Sequence, residues 1–106
     1  MDLAIEIVRF VSWNPQPGVV ACELKDAEGR IHILADKIPI FTASLIDERS
    51  HYPLPGSVRC SVLNRGRDAQ GRELVRVRTH GVETPAGLSE FVVLQEQLST
   101  ENAKKN

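Results

Sequence analysis

The chain has 106 residues, 42% of them hydrophobic and 25% charged, with a formal net charge of −1 at pH 7. That is enough for one domain with a workable core, and a balance so close to neutral argues against a bulk polyelectrolyte binder. No run is long enough to span a bilayer, the first residues lack a basic-then-apolar leader pattern, and two cysteines do not make a disulfide framework.

These bounds predict a cytoplasmic protein without membrane contact, with residues 1–99 as a single β domain and 100–106 as a disordered polar tail. Leu3 to Trp13 reads as the opening strand. Leu3, Ile5 and Ile7 share a face before the apolar phase moves to Val8 and Phe10, as at a β-bulge or in a strand serving two sheets. Pro15-Gln16-Pro17-Gly18 forms a corner, since neither a helix nor a central strand runs through it. Beyond it Val20, Cys22 and Leu24 alternate on one face, and Asp26-Ala27-Glu28-Gly29-Arg30 suits a type I turn closed by a glycine at positive φ. A hairpin from Val19 to Asp36 follows, with Leu24 opposite Ile31, Cys22 opposite Ile33 and Val20 opposite Ala35, apolar on apolar. Lys37–Thr42 is short, apolar and interrupted by Pro39, which predicts an edge strand. Ser44–Asp47 has capping-box spacing and predicts a helical turn through Ser50.

The pattern then recurs. Pro53-Leu54-Pro55-Gly56 leads into Ser57–Val62, and Asp68-Ala69-Gln70-Gly71-Arg72 repeats the turn. Both copies read P-x-P-G-x-V-x-C-x-[LV] followed by D-A-[EQ]-G-R, an internal repeat of two pseudo-equivalent hairpins. The second, ending near Thr79, has longer arms and pairs Val62 with Val77 and Cys60 with Thr79. Cys22 and Cys60 fall on inward faces as small buried hydrophobes; a disulfide between them would require an oxidising compartment. His80–Gly87 is a turn-rich bridge with room for a strand at Val82–Thr84. Phe91–Leu94 reads as a buried final strand, with a short helix at Gln95–Ser99, in preference to one helix from Leu88 to Leu98. About seven short strands with short helical turns make an all-β fold, a small antiparallel barrel or curled sandwich.

No catalytic motif stands out. His32, His51 and His80 are not at metal-ligand spacing, there is no C-x-x-C, and no nucleophile elbow, phosphate loop or dinucleotide fingerprint occurs. No catalytic residues, metal site or cofactor are expected, and an enzyme has no positive support.

Charge is distributed unevenly. Residues 1–58 sum to −3 and residues 81–106 to −2, whereas residues 59–80 carry six arginines against Asp68 and Glu73, summing to +4. In the expected register Arg59 opposes His80, Ser61 opposes Arg78, Leu63 opposes Arg76, Arg65 opposes Leu74 and Arg67 opposes Arg72. That register gathers Arg59, Arg65, Arg67, Arg76, Arg78 and His80 on the outer face of one β-ribbon. Three readings stay open: a solvated face whose arginine stems cover Leu63 and Leu74, a surface for an acidic protein partner, or a nucleic-acid face, although the ribbon lacks interleaved aromatics. Trp13 before Pro15 and Tyr52 before Pro53 form two aromatic corners, as packing plugs at the barrel ends or as the frame of one pocket.

The segments W-N-P-x-P-G-V-V-x-C-x-L-x-D-A-x-G-R, I-P-I-F-T, Y-P-x-P-G-x-V-x-C and G-R-E-L-V-R-V resemble a group of short bacterial proteins of unassigned function. The resemblance covers most of residues 12–98 and implies a compact β domain, with no activity, cofactor or site residue. The expected function is therefore a non-enzymatic protein-binding module, an adaptor or immunity-type protein. The alternatives are a single-stranded nucleic-acid binder on an OB-like barrel, using Trp13, Tyr52 or Phe41 for stacking, and a small-molecule-binding protein or enzyme. Oligomeric state is left open.

Overall fold

The structure, a computed structural model, describes residues 1–100, so the tail expected from residue 100 lies outside the described residues except for Thr100 itself. Its elements are β1 (Asp2–Ser12), β2 (Val19–Lys25), β3 (Ile31–Lys37), a four-residue helix α1 (Ile38–Phe41), β4 (Leu54–Arg67), β5 (Glu73–Thr79), β6 (Glu90–Leu94), a 3₁₀ turn (Gln95–Gln97) and β7 (Leu98–Ser99). All pairs are antiparallel, in the order β3-β2-β1-β4-β5-β6, with β7 also on β1. The molecule is thus an all-β protein whose sheet curls into a half-barrel.

The curl follows from two long strands. β1 shifts register between Ile7 and Arg9 and again between Phe10 and Ser12, at the phase change seen in the sequence. Bulges of this kind strengthen local twist. β4 pairs with β1 through Leu54–Arg59 and with β5 from Cys60 to Arg67, so one strand serves both halves. Pro55 sits inside β4, opposite Glu6, contrary to the expected corner. It is tolerated because pairing with β5 begins only at Cys60, leaving Leu54–Arg59 with a strand on one side only among the described residues. The concave side buries Leu3, Ile7, Val20, Cys22, Leu24, Leu34, Val58, Val75, Val77 and Val93, and removing this apolar surface from water is the main stabilising term. Cys22 and Cys60 are buried free thiols. Burial pushes Cys22 up to about 12 and raises Cys60 as well, so both stay protonated at neutral pH.

Several expectations are corrected. The first hairpin is slipped by one residue: Leu24 faces His32, Cys22 faces Leu34 and Val20 faces Asp36. The D-A-E-G-R turn closes on the pair Asp26–Arg30, with the Asp26 amide donating to the Arg30 carbonyl and the Gly29 amide to the Asp26 carbonyl. That three-residue loop, with Gly29 at φ +83°, is one residue longer than the expected register implied. The slip turns Ile31 and Ile33 outward and Leu34 inward. The second hairpin closes in the same way on Asp68–Arg72, but a bulge between Val62 and Asn64 absorbs the slip, so Cys60–Thr79 and Val62–Val77 pair as expected.

Lys37–Thr42 is not an edge strand. Pro39 lies in the first turn of α1, where its missing N–H costs nothing, and Ile38 and Phe41, three apart, both bury against the core. Asp47–Ser50 is a single turn held by the Ser50 amide on the Asp47 carbonyl rather than a helix from Ser44. Val82–Thr84 forms no strand; Val82 is buried, and Thr84–Gly87 is a turn that accepts the Leu88 amide on Thr84 Oγ1. β6 lies at the expected place, and the helical continuation shortens to Gln95–Gln97. No helix among the described residues is long and apolar enough to cross a membrane.

Gly56 marks where α1 meets the sheet. A Cβ there would lie 3.0 Å from the backbone oxygen of Phe41 and 3.0 Å from Ile5 Cδ1. Because the first of these is backbone, Gly56→Ala must displace α1. The expected cost is about 1–3 kcal/mol, read as a lower denaturation midpoint at unchanged slope. An unchanged midpoint would show that α1 is not fixed against β4.

Candidate functional site

The two hairpin tips carry the same set of hydrogen bonds. Asp26 Oδ1 accepts from the amides of Glu28 (2.9 Å) and Arg30 (3.0 Å), and Oδ2 accepts from Arg30 Nε (3.1 Å). Asp68 Oδ1 accepts from the amides of Gln70 and Arg72, both at 2.9 Å, and Oδ2 from Arg72 Nε at 2.7 Å. Gly29 and Gly71 both sit at φ +83°. The motif D-A-x-G-R is therefore a self-contained cap. The aspartate satisfies two turn amides, the glycine takes the left-handed conformation, and the arginine ties back to the carboxylate.

The first tip differs in burying its aspartate and the alanine after it. Asp26 is 8% exposed and also accepts His32 Nε2 at 2.9 Å, while the His32 ring stands 5.0 Å from that of Phe91. Burial by itself would raise the Asp26 carboxyl. The hydrogen bonds from His32, from the Arg30 and Glu28 amides and from the Arg30 side chain outweigh it and hold the group at about 2. Asp68 is lowered as well, chiefly by the Arg72 side chain.

The tips also meet each other. The Ala27 amide donates to the Val92 carbonyl at 2.8 Å, and Arg72 Nη1 donates to the Ala27 carbonyl at 3.1 Å. Beside this junction, where the edges of β3 and β6 converge without pairing, lies a cleft of about 460 Å³. Leu74, Leu88, Phe91 and Val92 give it an apolar wall; Asp26, Glu28, Arg30, His32, Asp68, Arg72, Arg76 and Glu90 surround it with charge. Most of the cations are already paired: Arg30 with Asp26 and Glu28, Arg72 with Asp68. Arg76 is exposed and makes no ion pair or side-chain hydrogen bond among the described residues. The assembly sets guanidinium donors beside apolar surface.

The six candidate ribbon residues separate into three places. Arg76 and Arg78 do alternate outward with the buried Val75 and Val77, and Arg76 reaches the cleft. Arg78 pairs with Glu90 at 2.6 Å. Arg59 and His80 lie near α1, lining a second concavity with Asp2, Ser57 and Phe41; Arg59 is 3.7 Å from Asp2, and His80 Nε2 is 2.6 Å from Ser61 Oγ. Arg65 and Arg67 are not on the outer face. The bulge places them opposite Val75 and Glu73, sharing those residues' face, where Arg65 meets Gln95 and Arg67 meets Glu73.

The aromatic corners are held separately. Trp13 packs on Phe10 with ring centroids 4.7 Å apart and donates Nε1 to Glu48, while the Tyr52 hydroxyl donates to the Asp47 carbonyl at 2.6 Å. Both corners thus lean on the same loop, through adjacent residues. The cleft residues Asp26, His32, Arg72, Leu74 and Phe91 were not among the candidate site residues read from the sequence, although the repeated D-A-x-G-R was a signal that two like turns would sit at related tips.

Comparison with family models, curated proteins and solved structures gives no match.

Proposed function

We propose that this domain is a non-enzymatic protein-binding module that receives an acidic segment of a partner along the outer face of β5. The observation carrying the reading is Arg76. It is exposed, makes no ion pair or side-chain hydrogen bond among the described residues, and stands between Arg78 along the strand and the apolar cleft wall of Leu74 and Val92. A carboxylate delivered there gains a charge-assisted hydrogen bond, and neighbouring apolar side chains enter the cleft. Complementary charge of this kind speeds and orients association. The two D-A-x-G-R hairpins, read as an internal repeat, supply the frame: one buries its Asp26 and Ala27 beside the cleft, the other lends Arg72 to join them. The reading is of a cytoplasmic protein.

Arg76→Glu combined with Arg78→Glu tests it. The fold should persist, since both side chains point away from the core. The lost Arg78–Glu90 pair and the new repulsion should cost no more than about 1 kcal/mol. Affinity capture from cell extract at low and moderate salt should recover a partner with the native protein and lose it with the double variant. A partner held equally by both would remove the β5 face from the interface. Retention of oligonucleotide, weakening steeply with salt, in place of protein would replace this reading with nucleic-acid binding.

A further inference from the structure

The free edge of β3 borders the cleft that Arg76 reaches from the other side. Among the described residues β3 pairs only with β2, and Asp26 and Arg30 close the turn as a hydrogen-bonded pair. Bonded and non-bonded pairs alternate along an antiparallel ladder. Leu24–His32, Cys22–Leu34 and Val20–Asp36 therefore exchange backbone bonds, and Ile31, Ile33, Ala35 and Lys37 direct their N–H and C=O groups away from β2. The Lys37 amide is satisfied by Asp36 Oδ1 at 2.8 Å. Among the described residues the Ile31, Ile33 and Ala35 amides have no partner, and Ile31 and Ile33 are 47% and 40% exposed on the convex face. An apolar edge with unpaired donors is what isolated sheets avoid.

We infer that this edge is a homodimer interface, formed by antiparallel pairing of β3 with β3 of a second copy about a twofold axis at Ile33. The occupant follows from self-complementarity. The three open residues are symmetric about Ile33, so the axial register pairs Ile33 with its own copy and Ile31 with Ala35, apolar on apolar, using every open donor. The same register sets Arg30 opposite Asp36 on the other face at both ends, an opposite-charge pair in a non-bonded position where side chains are closest. Moving the axis by one step in either direction leaves one open donor outside the symmetric set and breaks the Arg30–Asp36 match. An isologous contact of this sort closes at two copies.

Light scattering across a concentration series of the full chain tests the interface. The native protein should be dimeric at high concentration and dissociate on dilution. Ile33→Lys and Ile33→Glu should each be folded monomers, since like charges meet on the axis, and an equal mixture of the two should regain the dimer mass. A native protein that stays monomeric at millimolar concentration overturns the inference. So does a dimer that survives Ile33→Lys, or a mixture of folded variants that stays monomeric. Hydrogen exchange on the native chain gives a reading that needs no variant. The Ile31, Ile33 and Ala35 amides should slow about tenfold when nine chains in ten are paired, because exchange proceeds from the unpaired fraction. Rates independent of concentration would also overturn it.

Discussion

Val77→Asp is expected to leave the chain without a cooperative fold. Val77 is 0% exposed at the centre of the second half of the sheet, with Val62 opposite on β4 and Phe91 opposite on β6. An aspartate there either carries an unpaired charge into an apolar site or must bind a proton to avoid it. Either way the apolar contacts of the valine are lost, at a total of roughly 4 kcal/mol or more. Small domains have about 5–15 kcal/mol of stability in all, so loss of far-UV β signal and of amide shift dispersion is the expected readout. The neighbouring Arg76→Glu and Arg78→Glu changes lie on the opposite side of the same strand and should leave both signals intact. A folded Val77→Asp beside an unfolded arginine variant would put β5 in the wrong register.

Asp26→Ala should be the most damaging change outside the core. The carboxylate accepts from two turn amides, Arg30 Nε and His32 Nε2. Its removal strands several donors at a site that is only 8% exposed, for an expected loss of about 3 kcal/mol. The equivalent Asp68→Ala, in a turn of the same geometry with more solvent, should lose distinctly less. The pH dependence has a definite sign. The folded Asp26 carboxyl sits at about 2 against an ordinary value of 3.8, so the folded state favours the ionised form. The stabilisation is complete above pH 4–5 and disappears as pH falls through about 2, a difference of about 2 kcal/mol. Denaturant midpoints for native protein and Asp26→Asn should therefore converge between pH 5 and pH 2. Parallel curves over that range would mean that the carboxylate is not held as its hydrogen bonds indicate.

The all-β class, the strand positions and most of the core were legible because alternation and turn residues are local signals. Register was harder. A D-A-x-G-R loop closed on its terminal Asp–Arg pair shifts everything beyond it by one residue. In the second hairpin the bulge at Leu63 cancels that shift, so the core pairs were foreseen. In the first hairpin nothing cancels it, and Ile31 and Ile33, assigned inward by their apolar character, face outward while His32 takes an inner position. The same bulge moved Arg65 and Arg67 off the expected face and left Arg76 and Arg78 on it. Bulges are set by the twist two strands must share, which no short window of sequence displays. The cleft was hidden for a related reason: it is assembled from turns more than forty positions apart, joined by Arg72 and Ala27. Lys37–Thr42 was misread because a proline that marks an edge strand equally marks the first turn of a helix.

The division of β4 between two neighbours bears on how the molecule assembles. The pairs β2–β3, β4–β5 and β5–β6 join segments adjacent in the chain, and loop closure for each is inexpensive. Pairing β1 to β4 is different, because Asp2 must find Arg59 and Leu3 must find Val58 across half the sequence. Two locally formed halves, one built on the first hairpin and one on the β4–β6 meander, would then wait on long-range events, chiefly the seating of the first half of β4 along β1, with β7 reaching β1 from further still. Topologies governed by such a distant closure fold slowly for their size. Until it occurs, the apolar faces of both halves stand open to solvent.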